Sequence, residues 1–173
     1  MKQALLLAIA AILFSCSTQR AVTKADFTIV PDSADKVLKG IITRATLEND
    51  PAFSWLKSNM QYGRPDDAAV QAFREKKEQF SLVVFVGTWC LDTKNLLPKL
   101  YQLTDASGFP LEKVQLIATD RKKQAANNLH EQYKVYSVPA FLVMKNGKEI
   151  GRVIEYGETG DPIKELGAIV AKL

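Results

Sequence analysis

The stretch that most constrains this chain runs from residue 82 to residue 103 and changes from a strand pattern to a helix pattern at one cysteine. Residues 82–86 are continuously apolar and include three valines, which is typical of a buried strand. Apolar residues then recur at helical spacing, at positions 96, 97, 100, 101 and 103. Cys90 lies between the two patterns. Unpaired backbone N–H groups and the helix dipole favour negative charge there, so we expect a reactive, nucleophilic thiolate rather than a buried structural cysteine.

The rest of the C-terminal half alternates between strand and helix patterns. The predicted strands are 114–118, 141–145 and 149–154, and the predicted helices are 124–133 and a last one that begins at Asp161-Pro162. Asn146-Gly147 is a strong hairpin signal, and Gly151 is expected to mark a bulge. This order predicts an α/β fold in three layers, with helices on both faces of a sheet.

Residues 27–78 are interpreted as an N-terminal extension that packs on the fold. Residues 27–30 are a short strand candidate, and 37–43 are interpreted as a second edge strand. Asp50-Pro51 and 64–66 are expected to open helices, because Asp is a good N-cap and proline suits the first turn. By sequence, no residue of this segment carries chemistry.

The first fifteen residues have the pattern of a secretory signal. Lys2 supplies a positive start, and the apolar run 4–14 is too short to span a bilayer. The run ends at Cys16 in a pattern that resembles the bacterial lipobox, so residues 1–15 are predicted to be a lipoprotein signal peptide. Cys16 is the expected lipidation site, and 16–26 the tether. The alternative is an ordinary signal peptide with a chance cysteine. The prediction is an exported bacterial lipoprotein, anchored in a membrane and facing the periplasm or the cell exterior.

Charge and composition argue against several functions. The net charge of +4 is modest, and the densest basic run, 121–123, has no interleaved aromatic residues. We interpret that run as a solvated loop and expect no nucleic-acid partner. The only histidine, His130, is expected at the surface of the 124–133 helix. One histidine and one free cysteine cannot supply four zinc ligands, so neither a metal nor another cofactor is predicted.

Several marks in a fixed order resemble the thioredoxin-like family over residues 79–173. They are Trp89, Cys90 and Lys94 after the apolar strand, Pro98 in the helix, Val138-Pro139 before the apolar run 140–144, and a hairpin turn at 145–148. The resemblance implies a thioredoxin-like three-layer α/β/α sandwich with a central mixed sheet. It also implies a cis bond before Pro139, a Trp89 side chain that shields the thiol, and a Val138 backbone that pairs with an extended substrate.

Two positions depart from the pattern of that family. Thr93 stands where the second active-site cysteine would be, and Val84 where the buried acid would be. The site is therefore a single-cysteine Cys-x-x-Thr variant without a resolving thiol. The Thr93 hydroxyl is expected either to donate to the Cys90 thiolate or simply to bond to the backbone. Asp92 and Lys94 have opposing charges close to the sulfur, and the sequence does not decide which dominates.

The predicted function is that of a membrane-anchored thiol–disulfide oxidoreductase of the reductase or isomerase type. Cys90 would form mixed disulfides with polypeptide substrates, and an external thiol reductant or a second substrate thiol would release them. Cys90 and Thr93 are the predicted catalytic residues. One alternative is a redox-inactive peptide-binding module with the same fold. A second, supported only by Cys90 and Thr93, is a cysteine-dependent peroxide-reducing enzyme.

Overall fold

Residues 24–173, which the computed structural model describes, contain one six-stranded mixed sheet. Its strands are β1 (Asp26–Val30), β2 (Val37–Ile42), β3 (Ser81–Val86), β4 (Val114–Ala118), β5 (Ala140–Lys145) and β6 (Lys148–Ile154). Their order across the sheet is β1-β2-β4-β3-β5-β6. β3 and β4 are parallel, and every other neighbouring pair is antiparallel. The predicted mixed sheet is confirmed.

Six α-helices connect or follow the strands in the described part of the chain. They are α1 (Arg44–Glu48), α2 (Trp55–Asn59), α3 (Asp67–Lys76), α4 (Leu91–Ser107), α5 (Leu129–Gln132) and α6 (Pro162–Ala171). Short 3₁₀ turns occupy Pro51–Phe53, Leu111–Lys113 and Ala126–Asn128. The expected caps are present, since the carboxylates of Asp50, Asp66 and Asp161 each accept a hydrogen bond from a backbone N–H of the first turn.

The two faces of the sheet are covered differently. Alternate residues of β3 point to opposite sides, so Val84 belongs to one apolar cluster and Phe85 to the other. The first cluster contains the buried side chains of α3, α4 and α6, and we call this side the helical face. The second is closed by the segment 119–139, whose regular structure is limited to one 3₁₀ turn and the four-residue α5, and we call it the loop face.

Two sequence-based expectations for individual elements are wrong. The segment 37–43 does not form an edge strand, because β2 lies between β1 and β4 and leaves β1 as the edge. The helix predicted for 124–133 is interrupted, since Asn127 and Asn128 both have left-handed backbone angles. Asparagine tolerates that region better than most residues, which explains why the apolar spacing did not produce a continuous helix. The bulge expected near Gly151 is confirmed, because the β5–β6 register shifts between Val143 and Met144, opposite Gly151 and Glu149.

The signal-peptide prediction, Cys16 and most of the tether at 16–26 lie outside the described residues. Within residues 24–173, no helix is both long enough and apolar enough to cross a membrane. The proposed boundary between 78 and 79 stays a prediction, although β1 and β2 pair into the same sheet as the strands that follow.

Candidate active site

Cys90 is the N-cap residue of α4 and follows the end of β3 by four positions. Its backbone is extended, its N–H donates to Gly87 O at 2.9 Å, and its carbonyl accepts from Lys94 N at 3.0 Å. The Cys90 side chain is half-buried and forms no disulfide. The predicted placement at a strand-to-helix junction is confirmed, and it sets the sulfur at the positive end of a 17-residue helix.

The Val138-Pro139 bend lies against this sulfur. The peptide bond before Pro139 is cis, as the resemblance implied. Cys90 Sγ is 3.4 Å from Val138 O, in the geometry of a hydrogen bond from the thiol to the carbonyl. Among the hydrogen bonds of residues 24–173, none uses the Val138 N–H. The bend therefore offers a backbone donor next to the sulfur.

Thr93 is completely buried beneath the active turn, and its hydroxyl oxygen accepts from Gly87 N at 3.1 Å. Of the two interactions left open by the sequence, the structure contains the one with the backbone. That bond uses the oxygen as an acceptor and leaves the hydroxyl proton available. Val84, at the position of the family's acid, is also fully buried and belongs to the apolar cluster of the helical face.

Trp89 is fixed from three directions beside Cys90. Its indole N–H donates to Thr119 O at 3.1 Å. The ring packs so closely on Gly87 that a Cβ at that position would lie 2.8 Å from an indole carbon, which explains the glycine. Arg121 covers the ring, with its guanidinium carbon 5.5 Å from the ring centroid. The indole of the residue before Cys90 is therefore held in one position.

Lys94 and Arg121 are both held by acidic residues of the turn between β1 and β2. Lys94 Nζ is 2.9 Å from Asp35 Oδ1, and Arg121 pairs with Asp32 at 2.5 Å and with Asp35 at 2.8 Å. The hydrogen bond from Lys94 holds the pKa of Asp35 below its ordinary value, and Arg121 adds to the effect. The pKa of Asp32 is also lowered, chiefly by the hydrogen bond from Arg121.

A second link joins the N-terminal strands to the active turn. Thr88 is buried, and its hydroxyl donates to Lys36 O at 2.8 Å and accepts from Leu38 N at 3.1 Å. The residue two positions before Cys90 is thus bonded to the start of β2. This makes the segment that looked chemically silent in the sequence a neighbour of the site.

The structure brings together all of the predicted site residues that it describes. Cys90, Trp89 and Lys94 lie on one turn, Thr93 lies beneath it, and Val138-Pro139 faces the sulfur. Sequence reasoning missed Asp32, Asp35 and Arg121, because the pairs they form join residues 59 to 89 positions apart. Arg121 lies in an exposed loop, as predicted, but its guanidinium is also engaged by two carboxylates and an indole ring.

His130 also differs from expectation. It is buried rather than at the surface, and its Nδ1 accepts from Ala125 N at 3.2 Å, which closes the loop ahead of α5. The described residues contain no group of three or more histidine, cysteine or acidic side chains arranged to hold a metal ion.

Known proteins resemble this chain in sequence and in fold. The sequence model of the family described as Thioredoxin matches residues 66–166, which is more than half of the chain. A thioredoxin from Echinococcus granulosus is 36% identical over 91 residues, which cover 53% of this chain and 78% of that protein. The chloroplastic thioredoxin Y of Oryza sativa subsp. japonica is 31% identical over 78 residues, covering 45% of this chain and 44% of that protein.

Among solved structures, an HIV epitope scaffold has a similar fold, with a TM-score of 0.51 and 18% identity. The match covers 73% of this chain and 90% of that one. The family match includes the strand before Cys90, the cysteine itself, the Val138-Pro139 bend and the first half of α6. This chain belongs to the thioredoxin family.

Proposed function

We propose that this chain is a thiol–disulfide oxidoreductase of the reductase or isomerase type that works through Cys90 alone. The observation that carries the proposal is the position of the Cys90 sulfur, half-exposed at the start of α4 and 3.4 Å from the carbonyl that precedes the cis proline. A nucleophilic sulfur and a backbone edge for an extended polypeptide are thereby adjacent.

The proposed reaction has two exchange steps. The Cys90 thiolate attacks one sulfur of a substrate disulfide, forms a Cys90–substrate disulfide and displaces the other substrate sulfur as a thiolate. A second thiol then attacks the mixed disulfide and restores Cys90. If that thiol belongs to the substrate, the disulfide is isomerised with no net transfer of electrons. If it belongs to an external thiol reductant, further exchange with that reductant reduces the substrate by two electrons.

The surroundings of Cys90 suit a polypeptide substrate. Leu91 follows the cysteine and is 74% exposed, and Tyr136, two residues before Val138, is 66% exposed. Tyr156 is also exposed and accepts a 3.4 Å hydrogen bond from the Asn95 side chain of α4. Leu91 is next to Cys90 in the chain, Tyr136 precedes the bend that carries the free Val138 N–H, and Tyr156 contacts α4. Apolar contacts together with a backbone donor favour binding of an extended, partly unfolded segment.

Mixed-disulfide trapping tests the proposal. The full chain is incubated with a reduced and partly reoxidised protein substrate, quenched with acid and alkylated, and the adducts are identified by mass spectrometry. We expect adducts through Cys90 in the native chain and none in Cys90→Ser. The matched control is Ser137→Ala, which lies beside the bend and leaves the sulfur in place. An unchanged adduct profile in Cys90→Ser would refute the proposal.

A second candidate function is a peptide-binding module without redox activity. One observation favours it: the bond from Cys90 to Val138 O is one that a thiol can donate and a thiolate cannot. Such a module would bind unfolded peptides equally well in the native chain and in Cys90→Ala. Peptide affinity measured by fluorescence anisotropy, beside the trapping result, separates the two functions, because only the oxidoreductase depends on the sulfur.

We also propose that the chain is exported and anchored to a membrane by lipid on Cys16. The apolar run 4–14, the cysteine that follows and the polar residues after it support this. Metabolic labelling with a palmitate analogue should mark the native chain and should not mark Cys16→Ser. Absence of label in both would leave the ordinary signal peptide as the better interpretation.

A further inference from the structure

The turn between β1 and β2, residues 31–36, extends to the candidate site and supplies two carboxylates there. Asp32 accepts from Arg121 Nε at 2.5 Å and from Nη2 at 3.0 Å. One carboxylate oxygen of Asp35 accepts a hydrogen bond from the same Nη2 at 2.8 Å. Its other oxygen accepts a hydrogen bond from Lys94 Nζ at 2.9 Å. Asp35 thus bridges a cation that covers Trp89 and a cation on the first turn of α4.

Lys94 follows Cys90 by four positions, so the two side chains project from the same side of the helix start. In the described chain, the Lys94 ammonium group bonds to Asp35 and makes no bond with the Cys90 sulfur. A free ammonium group at this position would be attracted to a thiolate on Cys90. The Asp35 carboxylate therefore competes with a Cys90 thiolate for the Lys94 ammonium group.

The same turn also holds Arg121, which lies over Trp89, the residue before Cys90. Its guanidinium lies over the ring of Trp89 and is kept there by Asp32 and Asp35 together. A planar guanidinium held by two carboxylates has little freedom to turn towards another anion. Lys94 and Arg121 are thus both neutralised by carboxylates of the same turn.

We propose that Asp35 is a positioning residue of this site, which holds Lys94 and Arg121 away from the Cys90 sulfur and thereby limits the sulfur's reactivity towards anionic partners. The proposal rests on the proposed function only in taking Cys90 as the reacting group. Ion pairs as exposed as these contribute little to stability, so their effect is expected in the chemistry of the site rather than in folding.

The remaining charges around Cys90 do not replace this effect. Asp92 lies on the first turn of α4, and Asp120 is paired with Lys39 at 2.7 Å. The backbone N–H of Glu155 donates to Pro139 O at 2.8 Å. Removal of the Asp35 charge leaves Lys94 without its carboxylate and Arg121 with only Asp32. The net charge near Cys90 then becomes more positive by one unit.

Alkylation of Cys90 in the full chain tests the proposal. Rates with neutral iodoacetamide and anionic iodoacetate are measured for Cys90 by peptide mass spectrometry between pH 6 and pH 9. Asp35→Asn should raise the iodoacetamide rate at pH 7 about two- to threefold, the size expected for one unit charge acting through water over several ångströms. The iodoacetate rate should rise more, and about 0.5 M salt should remove most of both increases.

Three further variants make the outcome specific. Asp35→Glu keeps the charge and should restore the native rates. Glu149→Gln breaks a similarly exposed ion pair with Arg152 on β6 and should change neither rate. In a Lys94→Gln background, Asp35→Asn should have a smaller effect, because the released cation is absent. Unchanged or slower alkylation in folded Asp35→Asn, or an equal change in Glu149→Gln, would overturn the proposal.

The outcome is independent of the redox assignment. Alkylation reports the reactivity of the sulfur whether or not it exchanges disulfides. Altered alkylation in Asp35→Asn together with no mixed disulfides in the native chain would remove the proposed function and leave the role of Asp35 in place. Mixed disulfides in the native chain together with unchanged alkylation in Asp35→Asn would leave the proposed function in place and remove the role of Asp35.

Discussion

The two faces of the sheet are covered by different kinds of structure, helices on one and an irregular segment on the other. On the helical face, α3, α4 and α6 bury long apolar side chains, among them Phe73 and Leu100, neither of which has any solvent exposure. On the loop face, the sheet is covered by the irregular segment 119–139, which contributes smaller side chains such as Ala125 and Val135. Regular helices pack as rigid units, whereas a loop can adjust residue by residue.

The site lies where these two regions meet. Cys90 begins a helix whose buried side chains pack on the helical face, yet Trp89 and Cys90 themselves contact the cluster of the loop face. The partner of the sulfur, Val138, also belongs to the loop face. The difference suggests that the helical face provides most of the stability and a fixed helix start, while the loop face provides the groups that adapt to a substrate.

A matched pair of core substitutions tests this division and should give the largest effects. Leu116 on β4 faces the helices and Leu142 on β5 faces the loop, and both are essentially unexposed. We expect Leu116→Ala to lower the free energy of unfolding by about 4 kcal/mol and Leu142→Ala by about 2 to 3 kcal/mol, within the usual range for such truncations. The smaller loss reflects a loop that can collapse into the cavity. Urea denaturation measures both.

The order of the two losses is the informative result. Equal losses, or a larger loss for Leu142→Ala, would show that the segment 119–139 is as unyielding as the helices. Equal urea m-values for the native chain and both variants are required for the comparison, because a changed m-value would indicate a changed denatured state or a loss of two-state unfolding.

Periodicity predicted the helical face well and the loop face poorly. The spacing of Leu96, Leu100 and their neighbours specifies α4, because a long helix must repeat its apolar side chains to remain buried. The segment 124–133 has a similar apolar spacing, but Asn127 and Asn128 adopt left-handed angles there. Short segments contribute few side chains, so backbone preferences and tertiary contacts decide their form.

The residues of the candidate site also divide into those that the sequence predicted and those that it did not. Cys90 and the Val138-Pro139 bend were predictable because local motifs specify them. The ion pairs of Asp32 and Asp35 with Arg121 were not, since they depend on β2 entering the sheet beside β4. That strand order brings the β1–β2 turn close to the loop after β4. Nothing in the linear sequence gives the order of the strands.

Substitution of Thr93, which is buried beneath the active turn, should have an effect of intermediate size on stability. Thr93→Val keeps the shape of the side chain but removes the acceptor for the buried Gly87 N–H. A buried donor without a partner typically destabilises a protein by about 1 to 3 kcal/mol. If the free hydroxyl proton also assists the Cys90 thiolate, which is one of the two roles expected from the sequence, alkylation of Cys90 should slow severalfold in the same variant.

Thr93→Ser is the control, because it keeps the hydroxyl and should preserve most of the stability and the native alkylation rate. Denaturant unfolding and the rate of Cys90 alkylation are measured on all three proteins. A Thr93→Val variant that is less stable but is alkylated at the native rate would show that Thr93 is a structural residue of the active turn and that the catalytic role predicted from the sequence is wrong.

Lowering the pH should produce the smallest of the predicted structural changes, and it should affect the loop face before the helical face. The pKa values of Asp32 and Asp35 are both lowered in the folded chain, mainly by hydrogen bonds from Arg121 and Lys94 respectively. Carboxylates with lowered pKa values stabilise the folded state above about pH 4, and this contribution is lost as the pH falls through the folded-state values. Protonation would then release Arg121 from its position over Trp89.

Trp89 fluorescence in a Trp55→Phe background reports that release, since the chain has only these two tryptophans. We expect a reversible change below about pH 4 while the far-ultraviolet circular dichroism of the helices is still native, and no such change in Arg121→Gln. The buried apolar contacts of α3, α4 and α6 have no charge to lose, so they should persist at that pH. Simultaneous loss of both signals would mean that the acid-sensitive pairs hold the whole fold, and that the two faces do not differ in the way their packing indicates.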